Sequence, residues 1–293
     1  MPTPSKALSC VRIVSLALNL PGPAALMRLH AMGAHCTKVE SPMGDPMGQY
    51  SAQAYQQLHT GIALLTLDLK TAAGQAALHT ELARSQVLLT SFRPAALHKL
   101  QLDWATLHTA HPQLSMVCIV GSLGARANEP GHDLTYLAEN ELVTGLDLPA
   151  TLYADMAGAL MASEAVLQAV LTQATQGLAS YQEVALSDAA AHLALPRAWG
   201  ITQPSGAVGG AHAGYRVYAC QDGRVALAAL EPHFAAALCQ VVGIAVQDAA
   251  QLTSLMAQPG ARQQIAAFFA QHRCQQIDQM AQIHDIPLFC MPN

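Results

Sequence analysis

Val11-Arg12-Ile13-Val14-Ser15-Leu16, then Asn19-Leu20-Pro21-Gly22-Pro23, then Ala24–Met32 with Gly33 behind it, is the stretch whose reading decides the fold. The first segment is crowded with β-branched and aliphatic side chains, as a strand requires. Pro21-Gly22-Pro23 breaks the chain. Ala24–Met32 is helical in composition and stops at a glycine, where a helix C-cap belongs. Cys36–Glu40 reads as a second strand. The chain therefore opens strand–helix–strand, the unit of a parallel sheet.

The alternation continues outward. After the turn-rich Ser41–Gly48, a strand is expected at Leu64–Leu69, an Ala-rich helix at Thr71–Arg84 and a strand at Val87–Thr90. Short helices follow at Ala95–Leu100 and Trp104–Ala110, then a strand at Ser115–Val120. Strands spaced this way imply a parallel sheet covered by helices on both faces. One long helix runs from Asp155 to Thr175. Its apolar run Met156–Leu171 includes Ser163, Glu164 and Gln168, so it reads as a buried helix of a soluble protein rather than a membrane span. Tyr181–Leu186 alternates like a strand. The small-residue stretch Gly206–Gly214 marks a boundary between a large α/β domain, 1–205, and a small α+β domain, 206–293. In the latter, Tyr215–Cys220 and Arg224–Ala229 make a hairpin around Gln221-Asp222-Gly223, with helices from Phe234 and from Ala261.

Composition narrows the function classes. The 293 residues carry 14 Lys+Arg against 19 Asp+Glu, a net charge of −5, with 52% hydrophobic types and only 11% charged. Such a chain can bury enough surface to offset its ordering entropy, so it is not disordered. Without a basic run it has no footprint for nucleic acid. Seven scattered cysteines, with no CxxC and no Cys/His ligand spacing, read as reduced thiols of a cytoplasmic protein, not a disulfide frame or a metal site. The run Ile13–Leu20 is too short and polar for a signal peptide. The turn after the first strand lacks the glycines of a dinucleotide loop, and GxxxxGK[ST], GxSxG and HExxH are all absent. What remains is an enzyme-like chain with His132 and Asp155 as candidate titratable groups.

Several segments together resemble the family III CoA-transferases, the CaiB–BaiF family, and within it the α-methylacyl-CoA racemases most of all. They are Pro21-Gly22-Pro23; Gly33-Ala34; Lys38-Val39-Glu40-Ser41-Pro42 with Gly44-Asp45; Leu67-Asp68-Leu69-Lys70 with Gly74; and Val87-Leu88-Leu89 with Phe92-Arg93-Pro94. Gly131-His132-Asp133 with Tyr136-Leu137-Ala138, Ala154-Asp155, and Tyr215–Gly223 leading to Ala229-Leu230-Glu231-Pro232 and Phe234 complete the set. Each is weak alone; in family order over nearly the whole chain they are specific. The resemblance implies a Rossmann-like parallel sheet plus the small α+β domain, with the family's C-terminal return segment missing.

It also implies roles. His132 and Asp155 would remove and return the proton α to a thioester carbonyl from opposite faces, Glu231 would orient the histidine, and backbone at the aspartate would face the developing enolate. Arg93, Lys38 and Lys70 would meet phosphates of coenzyme A, which enters as part of an acyl-CoA substrate; no prosthetic group is expected. Asp133 and Tyr136 would line the site or support its loop. Ordinary structural roles stand beside these: Asp155 suits a helix N-cap, and Glu231 suits a helix start before Pro232. The family's basic cluster is replaced here by His59-Thr60-Gly61-Ile62-Ala63, and the cation usual after the central helix is absent from Thr172–Gly177. Three functions therefore compete: a racemase, a CoA-transferase with Asp155 as nucleophile, and a non-catalytic paralogue. A homodimer is expected, because so few charges cover so much apolar surface.

Overall fold

A computed structural model of the chain describes residues 6–246 and 248–293. It divides into two compact units that part at Ala194–Leu195. The expected boundary at Gly206 lies inside the second unit. Backbone hydrogen bonds run across that position: Gly206 N–H donates to Gln203 O at 2.7 Å, and Ala211 N–H donates to Gly206 O at 3.2 Å.

The first unit is built on six strands, β1 (Arg12–Ser15), β2 (His35–Glu40), β3 (Ala63–Thr66), β4 (Val87–Thr90), β5 (Ser115–Val120) and β6 (Tyr181–Ala185). They pair in the order β3-β2-β1-β4-β5-β6, every pair parallel. The chain walks outward from β1 in one direction, then returns and walks out the other way. The reversal leaves a crevice at the carboxyl ends of β1 and β4, where ligands bind in sheets of this kind.

Consecutive strand residues point to opposite faces, and in β4 and β5 both faces are covered, which is why these strands read as nearly unbroken apolar runs. Ile13, Val87, Leu89, Val117 and Ile119 pack with Leu26, Leu29, Ala162 and Val166 on one side. Val14, Leu88, Met116, Cys118 and Val120 pack with Leu78, Leu82, Leu97 and Leu107 on the other. The edge strand β3 departs from this pattern, leaving Leu64 half exposed.

Pro21-Gly22-Pro23 opens a helix rather than breaking the chain. The helix is Pro21–Ala31, with Pro21 at its first position, where a missing N–H costs nothing. Gly22 sits against Ala17, so close that a Cβ would overlap it. The central helix, Tyr153–Gln176, lays a row of small residues, Ala154, Gly158, Ala159, Ala162, Ala165 and Ala169, onto the unit's core and ends at left-handed Gly177. By length and composition it could cross a membrane; only its inner face is buried, with Leu160 and Leu171 exposed on the other.

In the second unit β7 (Tyr215–Cys220), β8 (Gly223–Ala228) and β9 (Leu288–Pro292) form an antiparallel sheet in that order. Cys220 pairs with Gly223, so the hairpin loop is Gln221-Asp222, one residue earlier than an Asp-Gly turn. Helices Pro232–Val242, Pro259–Ala270 and Cys274–His284 bury Leu238, Ile265, Phe269 and Ile277 against Val225 and Leu227. β9 and the helix Cys274–His284 were not expected from the sequence.

Candidate active site

A cleft of about 490 Å³ lies at the crevice, lined by residues of the first unit alone. Leu18 and Asn19 follow β1, Ser91 and Arg93 follow β4, and Gly121 follows β5; His132, Asp133, Tyr136 and Asp155 add titratable side chains to the lining. Crossing between the strand ends, Leu18 N–H donates to Ser91 Oγ at 2.9 Å.

Asp155 is the third residue of the central helix, not its N-cap; Leu152 holds the cap position without a side-chain bond. The first turn of a helix favours a carboxylate through the positive end of the dipole. Asp155 is nevertheless held in a site that resists its charge. Burial, and then the neighbouring Asp133 carboxylate, push its carboxyl up to about 6. Asp133 Oδ1 also accepts the Asp155 backbone N–H at 3.0 Å. That amide is therefore already engaged by Asp133.

His132 is exposed at the cleft rim and caps the helix Asp133–Glu139. Thr135 holds this cap: its hydroxyl accepts the His132 N–H at 3.1 Å and donates to His132 O at 2.7 Å. Tyr136, one turn into the helix, is buried. Burial first, then the charge of Asp155, raises its phenol. Its hydroxyl lies so near Gly121 and Gly131 that a Cβ at either would collide with it. The glycine before His132 is thus required by packing: it lets the loop close on Tyr136.

Beside the cleft lies a buried ionic cluster. Lys38, at the end of β2, has no exposed surface; its ammonium bonds Asp45, lies 3.2 Å from Glu40 Oε1 and donates to His59 Nε2 at 3.0 Å. His59 donates its other ring N–H to Tyr55 O at 2.6 Å, and Tyr55 donates to Glu40 at 3.0 Å. Burial, then the Lys38 charge, lowers the imidazole, which fixes His59 as the neutral acceptor. Asp45 Oδ1 reaches outward, accepting the backbone N–H of Asn19 at 3.0 Å and of Met47 at 2.9 Å, both cleft residues. Asn19 sits at φ 63°, a conformation that needs such an anchor.

The cleft therefore brings together Arg93, His132, Asp133, Tyr136 and Asp155. Lys38 does not contact phosphate, because two carboxylates already neutralise it inside the fold. Lys70 is exposed on the turn after β3, outside the cleft lining. Glu231 is exposed at the N-cap position before Pro232, on the second unit. Asn19 was missed as a site residue, and its Oδ1 is buried with no hydrogen-bond partner. The only signal was its place directly after the first strand.

Comparison with known proteins matches the profile of CoA-transferase family III over residues 8–290. Human α-methylacyl-CoA racemase is 27% identical over 283 residues, covering 90% of this chain and 72% of the racemase. A probable fatty acyl-CoA transferase of Mycobacterium tuberculosis, Rv3272, is 29% identical over 214 residues, 66% of this chain and 54% of that protein. Its crystal structure superimposes with a TM-score of 0.84 at 24% identity, over 99% of this chain and 85% of that one.

Proposed function

As a member of CoA-transferase family III, the chain is, we propose, an acyl-CoA racemase that inverts the α-carbon of a 2-methylacyl-CoA thioester. The observation that carries this reading is His132 and Asp155 in one cleft, with the Asp155 carboxyl held near 6. Near neutral pH such a group is ionised in most molecules and protonated in roughly a tenth, so it serves as base or acid. One of the pair takes the α-proton, leaving the electron pair on the thioester oxygen as an enolate. The other returns a proton to the opposite face. The two groups finish with their protonation exchanged, and no net charge is made. The positive end of the central helix favours the enolate.

Coenzyme A is part of the substrate in this reading, with Arg93 at the cleft mouth as its phosphate contact. The enzyme is taken as a cytoplasmic homodimer, in keeping with seven free cysteines and exposed apolar side chains such as Leu146 and Leu148; sedimentation of the purified chain as a monomer would remove the dimer. The CoA-transferase reading, with Asp155 attacking the thioester and expelling the thiolate, is favoured by the Mycobacterium relative's name.

The experiment is exchange of the α-hydrogen of 2-methylacyl-CoA in deuterium oxide. Exchange with inversion is expected; hydroxylamine inactivation that depends on acyl-CoA, without exchange, selects the transferase. His132→Ala should abolish proton removal from one face and spare some from the other, and Asp155→Asn the converse. Wild-type rates for both variants on both epimers would overturn the assignment.

A further inference from the structure

Cysteines far apart in the sequence meet in the second unit. β7 ends at Cys220, the loop after it carries Asp222, and the helix Cys274–His284 begins against both. Cys220 Sγ lies 3.5 Å from Cys274 Sγ and 3.8 Å from Asp222 Oδ1, and the Cys274 backbone N–H donates to the same oxygen at 2.8 Å. One donor atom from each of the three residues falls within 4.8 Å of the other two. Cys290, on β9, lies against Cys274 and Asp278 at the edge of the group.

We propose that Cys220, Asp222 and Cys274 bind a thiophilic divalent cation of the zinc class, a site separate from the cleft. Tetrahedral zinc, about 2.3 Å from sulfur and about 2.1 Å from a carboxylate oxygen, needs S···S edges of roughly 3.8 Å and S···O edges of roughly 3.6 Å. The observed 3.5 and 3.8 Å differ from these by a few tenths, within side-chain adjustment. Two sulfurs select zinc-class ions over magnesium or calcium, which take oxygen. The amide of Cys274 orients the carboxylate from behind, as outer partners of metal ligands do. Cys220 and Asp222 are half-buried, which leaves a path for entry and room for water as fourth ligand. Binding replaces two thiol protons, which pass to solvent. The ion would fasten the hairpin loop to the helix start, where Gln221 already bonds His272 O and Gln271 O.

The test uses the tag-free full chain, reduced and stripped with chelator, titrated with cobalt(II) and then zinc(II). Expected are one equivalent bound, thiolate-to-cobalt charge-transfer absorption with tetrahedral visible bands, displacement by zinc, and a zinc-dependent rise in Tm. Cys220→Ser and Asp222→Asn, both at half-buried positions, should each weaken binding about tenfold or more, with circular dichroism confirming the fold. Cys239→Ser, outside the cluster, should leave the spectrum intact. Three results overturn the proposal: a folded chain that binds cobalt without sulfur absorption, undiminished absorption in Cys220→Ser/Cys274→Ser, or thiol counting that finds these two cysteines cross-linked to each other in the purified protein.

Discussion

Two groups of charged side chains stand in and beside the cleft, and they are opposites. Around Lys38 one ammonium is matched by Asp45 and Glu40, with His59 and Tyr55 completing the hydrogen bonds. Around Asp155 two carboxylates share a pocket, and burial together with the Asp133 charge raises the Asp155 carboxyl. A compensated cluster in low dielectric holds its protonation state and anchors backbone. An uncompensated one is left able to trade a proton near neutral pH. The balanced cluster holds the loop of Asn19 and Met47; the unbalanced one lies beside that loop and, in the proposed reaction, trades the proton.

Substitutions can break this contrast. The largest effect should come from Asp155→Asn, which should slow α-proton exchange from the face Asp155 serves by about 10²–10⁴-fold at constant substrate binding, measured by deuterium incorporation. Next, Lys38→Met strands two buried carboxylates and should cost about 3–5 kcal/mol, read from denaturant unfolding, with cleft activity lost only as the loop loosens. Asp155→Asn has a second, opposite consequence. A carboxyl raised from 3.8 to about 6 binds its proton more tightly in the folded state. Stability therefore falls as pH rises through that interval and stays reduced above it, so at pH 7–8 the variant should be more stable by about 1–3 kcal/mol. No gain would mean that Asp155 ionises without strain and that the contrast is false.

Smaller effects sharpen the picture. The acid limb of kcat/KM should lie near pH 6, and for both epimers alike, because the equilibrium between them does not involve protons. Asp133→Asn keeps an acceptor for the Asp155 amide but removes the repelling charge, so that limb should move to lower pH. A profile that does not move would assign the whole shift to burial. Arg93→Ala should raise KM by about tenfold or less, the range for an exposed charge contact, with kcat little changed.

Strands and helices with strong local patterns were legible. Val87–Thr90, Trp104–Ala110, Ser115–Val120 and Tyr215–Cys220 lie where their composition puts them. Pro21 was misread because a fixed φ suits a break and a helix start equally. The cap before Asp155 was misplaced because Leu152 fills that position with no side-chain bond to announce it. Lys38 looked like a phosphate ligand because a charge in a sequence carries no sign of its burial; only the return of Asp45 and His59 against β2 reveals the pairing. His132, Asp133, Tyr136 and Asp155, singled out by their neighbours in the chain, line one cleft. The meeting of Cys220 with Cys274 rests on contacts across 54 positions, which no local spacing encodes.

The alanines beneath the central helix give it a role as a lever. Asp155 rides at one end of a rigid rod whose height above the sheet is set by methyl groups. Enlarging Ala162 or Ala165 would lift or tilt the rod and re-aim the carboxylate, at about 1.5 Å of rise per residue along it. Tuning of the proposed proton transfer can therefore begin far from the substrate, among side chains too small to attract notice.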